Sequence, residues 1–249
     1  MLGNTDINST PAGTSRFATT HWSVVLAAGD SSAPQHREAL STLCQKYWFP
    51  LYSYLRRHGY TSHQAEDCTQ AFFAQMLEKK YLRQVGPKPG KFRSFLLTAL
   101  KHFLANEYDR TRAQKRGGGR RLLSLDFENA ENQYTLEPSH QLSAEKLYEK
   151  SWAITVLERT MDRLETELAS ASKQKLFDCL KVYLGAETSS IPYRDVATEL
   201  SVTEGAVKVS VHRLRKRCRE LLRDEIAQTV TTSDEIDEEL RNLFSALSG

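Results

Sequence analysis

The sequence predicts an all-α fold of two helical domains joined by a flexible linker, the second domain a helix-turn-helix. Three observations lead there. Apolar residues recur at three-and-four spacing, as in Phe92, Phe95, Leu96, Ala99, Leu100, Phe103 and Leu104, and no segment alternates as a strand would. Between 122 and 150 the composition turns acidic, which separates two helical stretches. Two short helical patterns then flank a tight turn at Ser201-Val202-Thr203. The expected divisions are a disordered N-terminus over 1–19, a first helical domain over 20–116, a linker over 117–143, a second helical domain over 144–223 and an acidic C-terminal extension over 224–249.

In order along the chain, Thr20 to Ala28 is a short apolar helix capped by Thr20, followed by the linker GDSSAP. From His36 to His58, Leu40, Leu43, Cys44, Tyr47, Trp48, Leu51, Tyr54 and Leu55 keep one stripe, which Pro50 should kink or interrupt. Gly59 stops that helix. Thr61 or Ser62 caps the next one, whose acidic Glu66 and Asp67 lie near its positive end. This third helix buries Ala65, Cys68, Phe72, Met76 and Leu77, with Gln64, Asp67, Gln70 and Ala71 facing elsewhere. Pro87, Pro89, Gly86 and Gly90 forbid helix over Val85 to Lys91, leaving a basic loop. It leads into an aromatic helix from Phe92 that carries Arg93, Lys101, His102 and Asn106 off its apolar stripe. The segment from Arg110 to Arg121 then holds six basic residues and no acid. By itself such a basic amphipathic stretch suits nucleic acid, a membrane surface or a partner helix.

Helix resumes near Ser143 and runs past Leu168, breaks at ASASK, and continues as QKLFDCLKVYLG to a stop at Gly185. Pro192 suits the first turn of the next helix, in which Val196, Ala197 and Leu200 face inward. Thr203 caps a further helix. Its inner face carries Val207, Val211, Leu214 and Cys218, and its outer face Lys208, His212, Arg213 and Lys216. Two helices joined by a three-residue turn, a small Ala197 at the crossing and a basic second helix are the pattern of a helix-turn-helix, although Ser201 stands where glycine is common. The extension carries Asp234, Glu235, Asp237, Glu238 and Glu239 before an apolar Leu240, Leu243, Phe244 and Leu247 stripe. It is read as an amphipathic helix that docks on the body or on a partner.

The 34 basic and 31 acidic residues nearly cancel, but the basic ones cluster in two blocks, each followed by an acidic one. That points to two surfaces for a polyanion. No apolar run is long enough to span a bilayer, and no charged region leads into an apolar core at the start, so a cytoplasmic protein without membrane insertion is expected. Cys44, Cys68, Cys179 and Cys218 are far apart and unpaired with histidine at zinc spacing, so neither metal, cofactor nor disulfide framework is expected.

QAEDCTQAFF, then FRSFLLTALKHFLANEYDRTR, then PYRDVATELSVTEGAVKVSVHRLRKRCRELL resemble, in order, the blocks of bacterial RNA polymerase sigma factors of the extracytoplasmic-function group, over roughly 36 to 222. The resemblance implies core RNA polymerase and promoter DNA as partners, with an anti-sigma factor as a possible regulator. It makes 20–116 the domain that binds the polymerase clamp and opens the minus-ten element, and 144–223 the domain that reads the minus-thirty-five element as duplex. It assigns Asp67 and Gln70 to the clamp, and Lys88, Lys91, Arg93, Phe95, Lys101, His102, Asn106, Arg110 and Arg112 to the minus-ten DNA. Thr203, Glu204, Lys208, His212, Arg213 and Lys216 go to the minus-thirty-five DNA. Cys68, Thr69 and Ala71 depart from the family's usual residues beside the clamp, and Lys101 and His102 replace a frequent arginine and asparagine.

A stand-alone helix-turn-helix regulator is the second reading. A hydrolase using His63, Glu66 and Asp67 is the third, disfavoured because acids at a helix start commonly serve the dipole and no second carboxylate cluster or nucleophile motif accompanies them. No catalytic activity is therefore expected.

Overall fold

The computed structural model describes residues 28, 34–78, 91–113, 131–132, 134, 142–185 and 191–248. These residues are all-helical, without strands. In chain order the helices are α1 (His36–Arg57), α2 (Ser62–Glu78), α3 (Phe92–Ala113), α4 (Ala144–Ser170), α5 (Gln174–Leu180), a 3-10 turn (Lys181–Tyr183), α6 (Tyr193–Leu200), α7 (Glu204–Ala227) and α8 (Ser233–Ser248). The expected helix at Thr20 to Ala28 lies outside the described residues except for Ala28, as do the basic loop before Lys91 and most of the linker.

Local chemistry sets most boundaries. Gly59 takes a left-handed φ of +89°, which an L side chain resists, and the Tyr60 N–H closes back on the Leu55 carbonyl at 3.2 Å. Thr61 and Gln64 then cap α2 reciprocally: the Gln64 N–H donates to Thr61 Oγ1 at 3.3 Å and the Thr61 N–H to Gln64 Oε1 at 3.0 Å. Ser143 caps α4 by accepting from the Lys146 N–H at 3.2 Å. At the other end Ser172 turns left-handed, φ 58°, and the Lys173 N–H reaches the Leu168 carbonyl at 2.7 Å. Pro50 does not interrupt α1, which continues to Arg57. Residues on both sides of it, Lys46, Tyr47, Leu51 and Tyr52, are buried, so tertiary packing outweighs the lost backbone bond.

The helices enclose two hydrophobic clusters. The first gathers α1, α2, α3, the N-terminal half of α4, the end of α7 and α8 around Tyr47, Tyr148, Trp152 and Phe92. Tyr47 meets Phe92 edge-on at 5.4 Å. The second holds Leu164 of α4, Phe177 and Leu180 of α5, Tyr183, Val196 and Ala197 of α6, and Val207, Val211 and Leu214 of α7. Both α4 and α7 thread through the two clusters. The expected division at 223 therefore falls inside α7, whose Leu222 and Ile226 belong to the first cluster while Leu221 belongs to the second.

A charged knot closes the junction. Lys46 of α1 and Glu225 of α7 are 1% and 2% exposed and meet at 3.1 Å. The Lys46 ammonium also donates to the Glu225 carbonyl at 2.9 Å, while Arg163 and Arg159 of α4 reach the same carboxylate at 2.7 and 3.4 Å. The linker is anchored too. Glu131 accepts from Arg56 Nε and Nη2 at 3.0 and 2.7 Å and from the Tyr52 hydroxyl, and the Tyr134 ring lies 5.0 Å from the Arg56 guanidinium.

Candidate nucleic-acid interface

The turn between α6 and α7 is built from backbone geometry. Ser201 adopts φ 54° and ψ 44°, and the Val202 N–H donates to the Ala197 carbonyl at 2.9 Å. Thr203 is extended and accepts from the Ala206 N–H at 3.2 Å, starting α7. Val196 and Ala197 are buried with Val207, Val211 and Leu214, so the two helices share a small apolar seam. Left-handed geometry costs an L residue roughly 1–2 kcal/mol, and glycine returns roughly 0.4–1 of that through unfolded-state entropy. Ser201→Gly is thus expected to stabilise the chain by about 0.5 kcal/mol in a denaturant titration; destabilisation would mean that the serine hydroxyl, not the backbone, sets the turn.

The seam fixes which cations look outward. Thr203, Glu204, Lys208, His212, Arg213 and Lys216 are all exposed. Lys208 lies 3.4 Å from Glu204 one turn earlier, a solvent-screened pair of little energetic weight. Two other arginines of the block have partners elsewhere in the fold. Arg215 donates to the Tyr183 carbonyl at 3.0 Å, and Arg217 forks onto Glu167 of α4 at 2.8 and 2.7 Å. Within one basic run, these two arginines are thus tied to neighbouring elements while Lys208, His212, Arg213 and Lys216 lie on the outward face.

The second candidate surface lies on α3. Phe92 is fully buried and Phe95 half-buried, stacked on it at 5.8 Å. A cavity of about 360 Å³ between α2 and α3 is lined by Phe72, Met76, Phe95 and Phe103, with Gln75, His102 and Asn106 supplying polar groups. His102 and Asn106 are exposed, and Lys101 pairs with Glu145 at 2.9 Å while lying 5.8 Å from the Tyr54 ring. Lys88 lies outside the described residues; Arg110 and Arg112 continue the α3 backbone, and their side chains are likewise outside them. On α2, Asp67 is exposed and Gln70 half-buried.

Arg93 does not face solvent. It is 5% exposed, forks onto Glu239 of α8 at 2.7 and 3.1 Å, contacts Glu149 of α4, and stacks 4.6 Å from the Trp152 ring. Its own carbonyl accepts from the Tyr148 hydroxyl at 2.9 Å. Lys91 lies 2.8 Å from Glu238 and 3.0 Å from Glu239. Burial pushes the Glu239 carboxyl up, and the bonds from Arg93 and Lys91 more than reverse this, holding it below the usual carboxylate range.

No family model, curated protein or solved structure matches the chain. Its sites therefore stand on their own geometry. Among the described residues no group of three or more His, Cys, Asp or Glu could hold a metal ion, and no helix is long and apolar enough to cross a membrane. None of the four cysteines is in a disulfide; burial pushes the Cys44 thiol up to about 12, which leaves it inert at neutral pH. Sequence reasoning did not connect Glu131, Glu149, Glu225, Glu238 and Glu239 with the cations they meet. The acidic run ahead of an apolar stripe in 234–247 was the available signal, since a docking helix with that face needs cations beneath it.

Proposed function

We propose that the chain is a sigma factor of the extracytoplasmic-function group, which directs core RNA polymerase to selected promoters and has no catalysis of its own. The observation that carries this reading is the α6–α7 pair, a capped tight turn followed by a helix whose outward face presents Lys208, His212, Arg213 and Lys216. A helix of that form enters the major groove, where lysine or arginine on guanine discriminates bases and the other cations fix position on phosphates. The α3 surface complements it. Phe95, His102 and Asn106 around an apolar cavity are the residue types that hold an unstacked base. Promoter DNA and core polymerase are then its partners, the cytoplasm its compartment, and an anti-sigma factor one class of regulator.

Reconstitution tests this directly. The purified chain added to bacterial core RNA polymerase is expected to start transcripts at discrete positions on a fragmented genomic template from its source; no such transcript overturns the reading. One observation favours the second reading, a stand-alone regulator: α4 and α7 run through both hydrophobic clusters and tie the helix-turn-helix to the first unit. Such a regulator shifts duplex DNA without polymerase, whereas the proposed sigma factor requires core for promoter-specific binding.

A further inference from the structure

The acidic extension is not a solvated tail. Ile236 and Leu243 of α8 are buried in the first cluster, Arg223 of α7 pairs with Asp237, and the Phe92 N–H at the start of α3 donates to the Thr229 carbonyl at 3.3 Å. From this footing Glu238 and Glu239 meet Lys91 and Arg93, two of the cations assigned to the separated promoter strand. A phosphate and a carboxylate compete for the same guanidinium fork and the same ammonium.

We propose that α8 is an intramolecular mask, whose Glu238 and Glu239 occupy the Lys91 and Arg93 end of α3 where strand phosphates would bind, so that α8 must leave α3 when the promoter opens. This rests on the sigma-factor reading above. Three features suit a releasable contact rather than a permanent part of the core. The α8 helix is a single element joined to α7 through the short segment 228–232. Its hold on Lys91 is partly exposed, with Glu238 54% accessible. Moreover, Arg93 keeps Glu149 and the Trp152 ring after Glu239 departs, so its guanidinium is never stranded. Because binding free energies are reciprocal, whatever strand binding does to α8, loosening α8 does to strand binding.

Two measurements decide it, both on the full chain with core polymerase and a promoter fragment recovered in the reconstitution. In hydrogen exchange, the amides of α8 are expected to lose protection by about tenfold or more in the open complex relative to the free protein. In permanganate footprinting at matched core occupancy, Glu238→Gln/Glu239→Gln is expected to open the promoter about fivefold faster than the charge-matched Asp224→Asn/Asp234→Asn. Asp224 and Asp234 are exposed and contact neither Lys91 nor Arg93. Retained α8 protection in the open complex, or equal opening by the two variants, overturns the mask while leaving the sigma reading intact. Absence of any promoter-dependent transcript overturns both. Should the glutamine variant fail to fold, the exchange result on the unaltered chain decides alone.

Discussion

Replacing Glu225 by alanine is expected to cost about 3–5 kcal/mol of stability, measured by urea unfolding at pH 7. Its carboxylate meets three cations, Lys46, Arg159 and Arg163, and it is 2% exposed. Alanine would leave the Lys46 ammonium, itself 1% exposed, in apolar surroundings beside two guanidinium groups. Burial already lowers Lys46 to about 8, with Glu225 opposing that shift, so it is still charged at pH 7. Lys46→Met should cost less, because Arg159 and Arg163, 25% and 38% exposed, remain to neutralise Glu225. Equal losses for the two variants would contradict this order. Acid provides an independent check. Burial pushes the Glu225 carboxyl up, but Lys46, Arg163 and Arg159 prevail and bring it from 4.5 to about 2. Since the folded value lies below the unfolded one, this contribution is complete above about pH 5 and is lost as pH falls toward 2. A shift of that size corresponds to about 3 kcal/mol. Glu225→Gln is expected to flatten that part of the acid profile.

The knot also shows why the architecture was only partly legible in the sequence. Features decided within one turn of helix could be read: Gly59 as a stop, Thr61 as one of two candidate caps, a helix start near Ser143, Thr203 as a cap, and the turn at Ser201. Each depends on a backbone conformation or a side-chain cap settled among residues a few positions apart. Lys46 depends on an acid 179 positions later. In one dimension it is an ordinary polar residue beside an apolar stripe. The partners of Arg93 were hidden for a related reason. A cation in an aromatic helix next to a basic loop suggests a polyanion, yet its carboxylates come from α4 and α8, 56 and 146 positions away. The boundary at 223 was hidden in the same way, because a composition shift does not reveal that α7 continues past its outward basic face into the other cluster. Conversely, the outer face of α7 was legible because a 3.6-residue period separates it from a seam formed locally with α6.

That difference bears on the second large effect. Lys208→Ala/Arg213→Ala is expected to weaken upstream promoter recognition by roughly 2–6 kcal/mol if both side chains sit on bases, at roughly 1–3 kcal/mol for each such contact. Both side chains are exposed, so no packing is lost and the unfolding midpoint should stay unchanged. Lys208 surrenders its screened pair with Glu204 and a distant exposed contact, 6.0 Å, with the Tyr193 ring. The diagnostic comparison is with Arg217→Ala, which removes an equal kind of charge from the same helix but breaks a half-exposed fork onto Glu167 of α4. In holoenzyme binding to a duplex carrying the upstream element, the double variant should lose affinity and sequence preference while retaining core polymerase; Arg217→Ala should lose stability instead. The salt dependence separates base contacts from phosphate contacts. A phosphate-bound cation lowers affinity for all sequences alike and reduces the salt slope by about one when removed, whereas a base-bound one relaxes preference at its own position. If the double variant and Arg217→Ala reduce affinity equally, promoter recognition follows net charge, and the outward face of α7 does not read sequence.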